Sequence, residues 1–414
     1  MRAVLRPVAS AFVLLAAASP AADWPAFRGP SGDGHSAATN VPVAWTATSN
    51  VAWRAAVPGG GWSSPVLSGG RIYLTSAIPG AGDQLALAAL AFDAATGREL
   101  WRADVIPQDG TAPSIHRKNS HASPTAIAAA GRVYVHFGHM GTACLDAEGK
   151  VIWRQTALRY PPLHGNGGTP VIWQDLLIFS ADALNDPFIV ALDRATGEVR
   201  WRAPRVTDHP RKFSFSTPTV IEVEGRPQLI SPGSGVVDAL DPATGQGLWR
   251  ARYDGFSVIP KPVFGHGLVF VGTGYEAPTA IAIRVDGAAG DVTDTHVAWT
   301  LRRSAPNTPS FLLVGDELYL LADSGVMSCV DARTGTVHWQ ERVCGGASAS
   351  PVLAEGRIYV QDEQGTGVVL AAGEGFRQVA PKPPGENPPA SYSVAGGRGF
   401  IRSEENLFRI GARP

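Results

Sequence analysis

Four segments of this chain repeat one pattern, and that pattern restricts the fold more than any other feature of the sequence. They are Asp93-Ala-Ala-Thr-Gly97-Arg-Glu-Leu-Trp101, Asp193-Arg-Ala-Thr-Gly197-Glu-Val-Arg-Trp201, Asp241-Pro-Ala-Thr-Gly245-Gln-Gly-Leu-Trp249 and Asp331-Ala-Arg-Thr-Gly335-Thr-Val-His-Trp339. A fifth copy, Asp146-Ala-Glu-Gly149-Lys-Val-Ile-Trp153, has lost one turn residue, and a sixth swells into a loop through Asp286 and Asp291 before Trp299. With Trp53, the tryptophans recur at intervals of ~50 residues, the length of one four-stranded propeller blade. Asp closes a turn by bonding backbone two residues on, and Gly accepts positive φ. The strand that follows carries a ring large enough to wedge between neighbouring blades.

A second element opens the blades: Ser64-Pro65-Val66, Ser123-Pro124-Thr125, Thr169-Pro170-Val171, Thr217-Pro218-Thr219, Thr308-Pro309-Ser310 and Ser350-Pro351-Val352. Proline is tolerated at a strand start because no ladder bond is lost there. Runs such as Arg71-Ile-Tyr-Leu-Thr75, Arg132-Val-Tyr-Val135 and Arg357-Ile-Tyr-Val360 follow, with the alternation of a half-buried strand. The composition, with 47 Gly and 33 Pro, suits many short strands joined by tight turns.

The ends of the chain set the blade count. Val51-Ala-Trp53-Arg54 reads as a tryptophan strand with no repeat turn before it, while Ser391 to Ile410 supplies strands with no closing tryptophan. The seventh repeat has a worn turn that places Phe376 near the tryptophan position. The expectation is an all-β, eight-bladed propeller of four-stranded antiparallel blades, its ring closed by the N-terminal strand; seven blades is the competing count. Closure removes an exposed edge that would invite aggregation.

Residues 1–22 place Arg2 and Arg6 before an apolar run, followed by the small residues Ser19, Ala21 and Ala22, the order of a secretory signal. The expected organisation is therefore a signal peptide over 1–22, an extended N-terminal segment over 23–49 and the propeller over 50–414. The apolar run is shorter than the ~20 residues that span a bilayer, so the mature protein is expected to be exported, periplasmic or secreted, with no transmembrane segment, and monomeric. A formal net charge of −1 gives no footprint for nucleic acid. Cys144, Cys329 and Cys344 form neither a metal pair nor a disulfide framework; small buried side chains are the expectation, with one disulfide still open.

The Asp-x-x-Thr-Gly-x-x-x-Trp copies resemble the tryptophan-docking motif of the quinoprotein alcohol dehydrogenase-like propellers. Within that superfamily the chain is similar to exported, BamB-like proteins with PQQ-binding-like repeats. Trp24-Pro-Ala-Phe-Arg28-Gly-Pro-Ser-Gly-Asp33-Gly34, His116-Arg-Lys-Asn119-Ser-His121, Phe137-Gly-His139-Met-Gly-Thr and His164-Gly-Asn166-Gly-Gly-Thr-Pro170 also carry the likeness. The resemblance implies fold more than activity. A dehydrogenase of the family would carry adjacent cysteines over pyrroloquinoline quinone (PQQ), an Asp base, and Glu and Asn ligands for calcium. No two cysteines here are adjacent, so no catalytic residue is carried over.

Residues just ahead of each opening proline should crowd one mouth of the channel. The binding candidates are His116, Arg117, Lys118, Asn119, His121, His164, Asn166, Lys261 and Asn307, donors and imidazoles suited to an anion or polar ligand. Trp62, Ser214, Ser216 and Ser348 stand beside them. His136 and His139 are three apart, on opposite faces if both lie in a strand; Asp291 and Asp294 read as a solvated turn. The expected function is a non-catalytic exported propeller binding a protein, peptide or small polar ligand at the channel mouth, with no required cofactor. Two alternatives stay open: a PQQ- and calcium-dependent or other metal-dependent oxidoreductase with an atypical site, and a BamB-like outer-membrane assembly scaffold.

Overall fold

The computed structural model describes residues 23–45, 49–81, 84–107, 114–365, 367–382 and 390–411; the signal expected over 1–22 lies outside them. Their strands form eight sheets. The first blade runs Val66–Ser68, Arg71–Pro79, Leu85–Asp93 and Glu99–Pro107, each strand antiparallel to the one before. Six more follow in chain order, opening at Ile127–Ala129, Val171–Trp173, Thr219–Val223, Val263–Gly265, Leu312–Val314 and Val352–Ala354. The eighth combines Ser393–Ala395, Arg398–Arg402 and Asn406–Ile410 with the N-terminal strand Val51–Ala56, which pairs antiparallel to Asn406–Ile410. The ring is therefore closed between the two ends of the chain.

Each repeat turn is held as its residues dictate. Asp93 Oδ1 accepts from the Ala95 and Thr96 amides at 3.0 and 2.8 Å, and Gly97 takes φ +76°. The tryptophan that follows docks on the turn of the next repeat rather than on its own. Trp53 donates to Ala94 O, Trp101 to Ala147 O, Trp153 to Arg194 O, Trp201 to Pro242 O and Trp299 to Ala332 O. The ring lies so close that a Cβ on Gly97, Gly197 or Gly245 would stand 2.5–2.6 Å from it. Positive φ and this approach together require glycine. In each outer strand a β-bulge immediately precedes the tryptophan, turning the side chain towards the next blade.

Three local expectations change. Phe376 lies in the turn, packed edge-on against Trp339 at 5.2 Å, while Ala380, paired with Val369 beyond the bulge, takes the tryptophan register. The second strands are buried on both faces: Ile72, Leu74 and Thr75 are 0 % exposed and Tyr73 4 %. A blade in a closed ring is covered on each side, so its inner strands lose the one-sided wetting that alternation implies. In the swollen repeat, Gly290–Asp291 adds a parallel fifth strand beside Trp249–Arg250, and Asp291 pairs with Arg252 at 3.0 Å. Trp249, deprived of a neighbouring repeat turn, donates to Gln228 Oε1 instead.

The residues two before each first strand, Ser or Thr in seven of the eight blades, form a hoop around the channel. Each amide donates to the hydroxyl of the next blade: Ser64 to Thr125, Thr125 to Thr169, Thr169 to Thr217, Lys261 to Ser310, Ser310 to Ser350 and Ser350 to Ser391, all at 2.9–3.1 Å. Thr169→Val keeps the shape but strands the buried Thr125 amide, and is expected to cost about 1–3 kcal/mol in urea unfolding. Thr169→Ser should unfold close to the wild type.

Candidate functional site

The N-terminal segment crosses one end of the channel. Trp24 and Leu67 exchange backbone hydrogen bonds, Ala128 donates to Pro25 O, and Leu353 donates to Gly34 O. His35 Nε2 contacts Leu313 O at 2.7 Å, and Ser36 Oγ donates to Val394 O. Every one of these partners lies three residues beyond a hoop residue of its own blade, about 10 Å along the strand. The segment therefore stops the channel below the hoop. Trp24, 1 % exposed, and Arg28, 2 % exposed, anchor it. The Arg28 guanidinium donates to the carbonyls of Phe311, Pro351 and Asp33.

Above this plug a cavity of about 710 Å³ opens at the other mouth, within the range of small-molecule sites. Phe27 reaches it from the plug, and the seven hoop hydroxyl residues Ser64, Thr125, Thr169, Thr217, Ser310, Ser350 and Ser391 line it. One wall is aromatic, built from Phe213, Phe215, Phe256 and Tyr275. Phe256 meets the guanidinium of Arg211, 4.5 Å from its centroid, and the stacked ring of His209. The facing side is polar. Lys118, on the loop before the second blade, pairs with Glu363 of the seventh blade at 2.8 Å, and Ser348 donates to the same carboxylate at 2.6 Å. That bridge ties together loops separated by the first and eighth blades.

Six of the nine sequence candidates line this cavity: His116, Arg117, Lys118, Asn119, His164 and Asn307. Trp62 and Ser348 line it too, whereas Ser214 and Ser216 donate to the Val258 and Pro260 carbonyls. His116 and His164 meet edge to face at 5.6 Å, and burial beside His116 lowers the pKa of His164. Asn119 is a clamp, donating to His164 O and accepting from Ser120 N and Ser123 Oγ. Asn307 leaves Oδ1 buried without a partner, while its amide donates to Asp323. His121, Asn166 and Lys261 are not among the lining residues. Asn166 instead braces the turn Gly138–Met140, accepting from the His139 amide and donating to Phe137 O. Because that turn is a 3₁₀ helix, strand alternation ends at His136, which is buried against Tyr160 and Phe179 and held down to about 3 by burial. Burial alone lowers the pKa of the half-buried His121.

Lys261 takes the hoop position of the fifth blade, where its neighbours supply hydroxyls. Its Nζ turns to the plug and donates to Gly32 O at 2.7 Å. Burial, with Arg28 nearby, pushes it down to about 7 from an ordinary 10.5. The unfolded chain therefore binds the extra proton between pH 7 and 10.5, so this lysine makes stability rise with pH across that window, by up to about 1.4 kcal/mol per unit. Lys261→Met is expected to flatten that rise when urea midpoints are compared at pH 7 and pH 9.5.

The donor set does not fit a calcium-bound quinone. Asp323, the one carboxylate lining the cavity, already accepts from Asn307 N, Thr308 N and Thr308 Oγ1. Among the described residues no group of three or more His, Cys, Asp or Glu side chains is placed to hold a metal. Cys144, Cys329 and Cys344 are free thiols, none of them lining the cavity, and burial pushes each up, to about 11, 12 and 12.

The residues that sequence reasoning passed over are the aromatic wall, Phe27 and the hoop. Only the hoop had a signal, the hydroxyl recurring beside six of the prolines that open blades.

Tryptophan-docked blades, a closed ring and a plugged channel define a β-propeller of the PQQ-like repeat class. The family model described as outer membrane protein assembly factor BamB matches residues 30–207, 185–322 and 309–380, and the chain belongs to that family. BamB from Moraxella catarrhalis is similar over 85% of this chain and 94% of its own, at 15% identity and a TM-score of 0.59. The computationally designed Ika8 protein covers 86% of this chain with 99% of its own, at 11% identity and a TM-score of 0.58. These likenesses concern the fold. No curated protein sequence matches the chain. Among the described residues no helix is long and apolar enough to cross a membrane.

Proposed function

We propose that this chain is an exported, non-catalytic propeller that binds a partner protein, peptide or small polar ligand at the mouth of its channel, as an assembly-type scaffold. The observation that carries the reading is the blind cavity of about 710 Å³ with one aromatic and one polar wall. The carboxylates at its wall are already committed, Asp323 of the lining to backbone and Thr308, and Glu363 beside it to Lys118 and Ser348. A committed carboxylate is a poor proton shuttle but a rigid part of a binding wall. Tyr275 at 57 % and Leu163 at 42 % exposure stand at the rim as apolar contacts for a partner.

Photo-crosslinking tests this in cells, with p-benzoylphenylalanine in place of Tyr275 or Leu163, and of the outer-strand Val337 as control. Adducts from the two rim positions and none from Val337 are expected. Adducts from Val337 alone, or from no position, would sink the reading. Dye reduction on adding PQQ and calcium with alcohols or sugars would overturn the non-catalytic part. N-terminal sequencing of protein recovered from the cell envelope is expected to begin near residue 23; an intact Met1 would remove export.

A further inference from the structure

Three basic side chains are buried around the hoop: Arg28 and Lys261 at the plug, with the Asp33 carboxylate near both, and Arg402 between the eighth and first blades. Arg28, 2 % exposed, bonds the carbonyls of Phe311 and Pro351, each next in the chain to a hoop serine. Arg402, 0 % exposed, donates to Ser63 Oγ and Thr75 O, beside the hoop residue Ser64. Lys261, 6 % exposed, is itself a hoop position. None of the three forms an ion pair among the described residues, and Arg28 Nε and both Arg402 Nε and Nη2 are buried without partners. Burying cations unpaired is costly, and an anion brought against them would offset that cost.

The hoop adds donors to this field. The hydroxyls of Thr125, Thr169, Thr217, Ser310, Ser350 and Ser391 each spend a lone pair on the amide of the preceding blade. Among the described residues their own O–H groups meet no protein acceptor, and all six residues line the cavity. Six hydroxyls from six blades thus ring one cavity, and the chemistry they lack is an oxygen acceptor. Aromatic rings of Phe213, Phe215 and Phe256 stand on one side of the same space.

We propose that the floor of the cavity is an oxyanion site, which takes a carboxylate or phosphate head group on the hydroxyl hoop above Arg28 and Lys261, with the apolar body of the ligand against the aromatic wall. This rests on the reading of the cavity as the binding site and names the class of ligand it takes. The buried Arg28 charge acts through a dry interior, so screening by salt weakens it less than it weakens the rim cations.

Calorimetric titration of the purified mature chain with benzoate, phenyl phosphate, inorganic phosphate and the neutral isostere benzamide tests the assignment. Benzoate or phenyl phosphate is expected to bind at least about tenfold tighter than benzamide, and to keep most of its affinity from 50 to 300 mM salt. Preference between benzoate and the phosphates separates a carboxylate from a phosphate source. Thr169→Val should weaken the anion at least about threefold and Thr169→Ser restore it, with circular dichroism confirming the fold of both. Benzamide binding as tightly as benzoate overturns the oxyanion site while leaving the cavity a binding site. Binding of none of the probes also overturns it, and the rim crosslinks then decide separately whether the mouth binds a partner. Binding of anions abolished by Arg117→Gln and by salt, but unchanged in Thr169→Val, moves the site to the rim and overturns the floor.

Discussion

Trp201→Ala is expected to destabilise the protein by about 3–5 kcal/mol, read as a lower urea midpoint at an unchanged slope. The indole is 9 % exposed, donates to Pro242 O at 3.0 Å, and lies against Gly245 of the following repeat. Removing it opens a cavity between the third and fourth blades, where Leu176, Ile178 and Ile189 meet Leu229 and Leu240. The turn around Gly245 cannot close the gap, because its backbone is held by Asp241 Oδ1 accepting from the Ala243 and Thr244 amides. Trp201→Phe keeps most of the ring and loses the N–H donor, so a smaller cost of about 1–2 kcal/mol is expected. Equal losses in the two variants would show that the hydrogen bond, not the packed ring, fastens the blades.

Arg205→Met should cost as much by a different route. Arg205 is 3 % exposed and joins the third and fourth blades, donating through Nε to Asp182 at 2.7 Å and through Nη1 to Asp238 at 3.0 Å. Ser231 takes two further bonds through its carbonyl and hydroxyl. Methionine fills similar volume but leaves Asp182 in the interior without its cation, while Asp238 keeps Arg250 at 2.9 Å, a loss of about 3–5 kcal/mol for a broken buried pair. Burial already raises the pKa of Asp182, and Oδ2 of that carboxylate has no partner. With the guanidinium gone, the folded variant binds a proton more tightly than the unfolded chain. Its defect should therefore be largest at neutral pH and narrow as pH falls towards the ordinary carboxylate range. A defect independent of pH from 7 to 4.5 would mean that the carboxylates move to solvent. The double change Arg205→Met with Asp182→Asn should recover part of the loss.

The repeat was readable because its residues act locally. Asp93, Thr96 and Gly97 make their turn within five residues, so the pattern names the hairpin wherever it recurs. The orphan strand at Trp53 and the unpaired strands after Ser391 likewise called for each other, and Val51–Ala56 pairs with Asn406–Ile410. The misplacement of Phe376 is as informative: spacing was counted from a worn turn, while the tryptophan register is set by a bulge that a sequence does not display. His116, Arg117, Lys118, Asn119, His164 and Asn307 were reachable because every blade begins at the same mouth. Lys261 was grouped with them by the same rule, yet the plug draws its ammonium away to Gly32 O.

What the sequence determined by itself is the set of relations confined to one blade: turn chemistry, strand order, the number of repeats and the need for the ends to meet. Tertiary structure alone decided what lies between blades. Which turn each tryptophan docks on, how the hydroxyls beside the prolines join into a hoop, and where residues 24–36 stop the channel all depend on contacts between parts of the chain ~40 to 350 residues apart. A hydroxyl at a strand start satisfies its own blade equally well whether or not a neighbouring amide reaches it. Only closing the ring fixes the angle between blades, and that angle turns eight similar strand starts into one cavity.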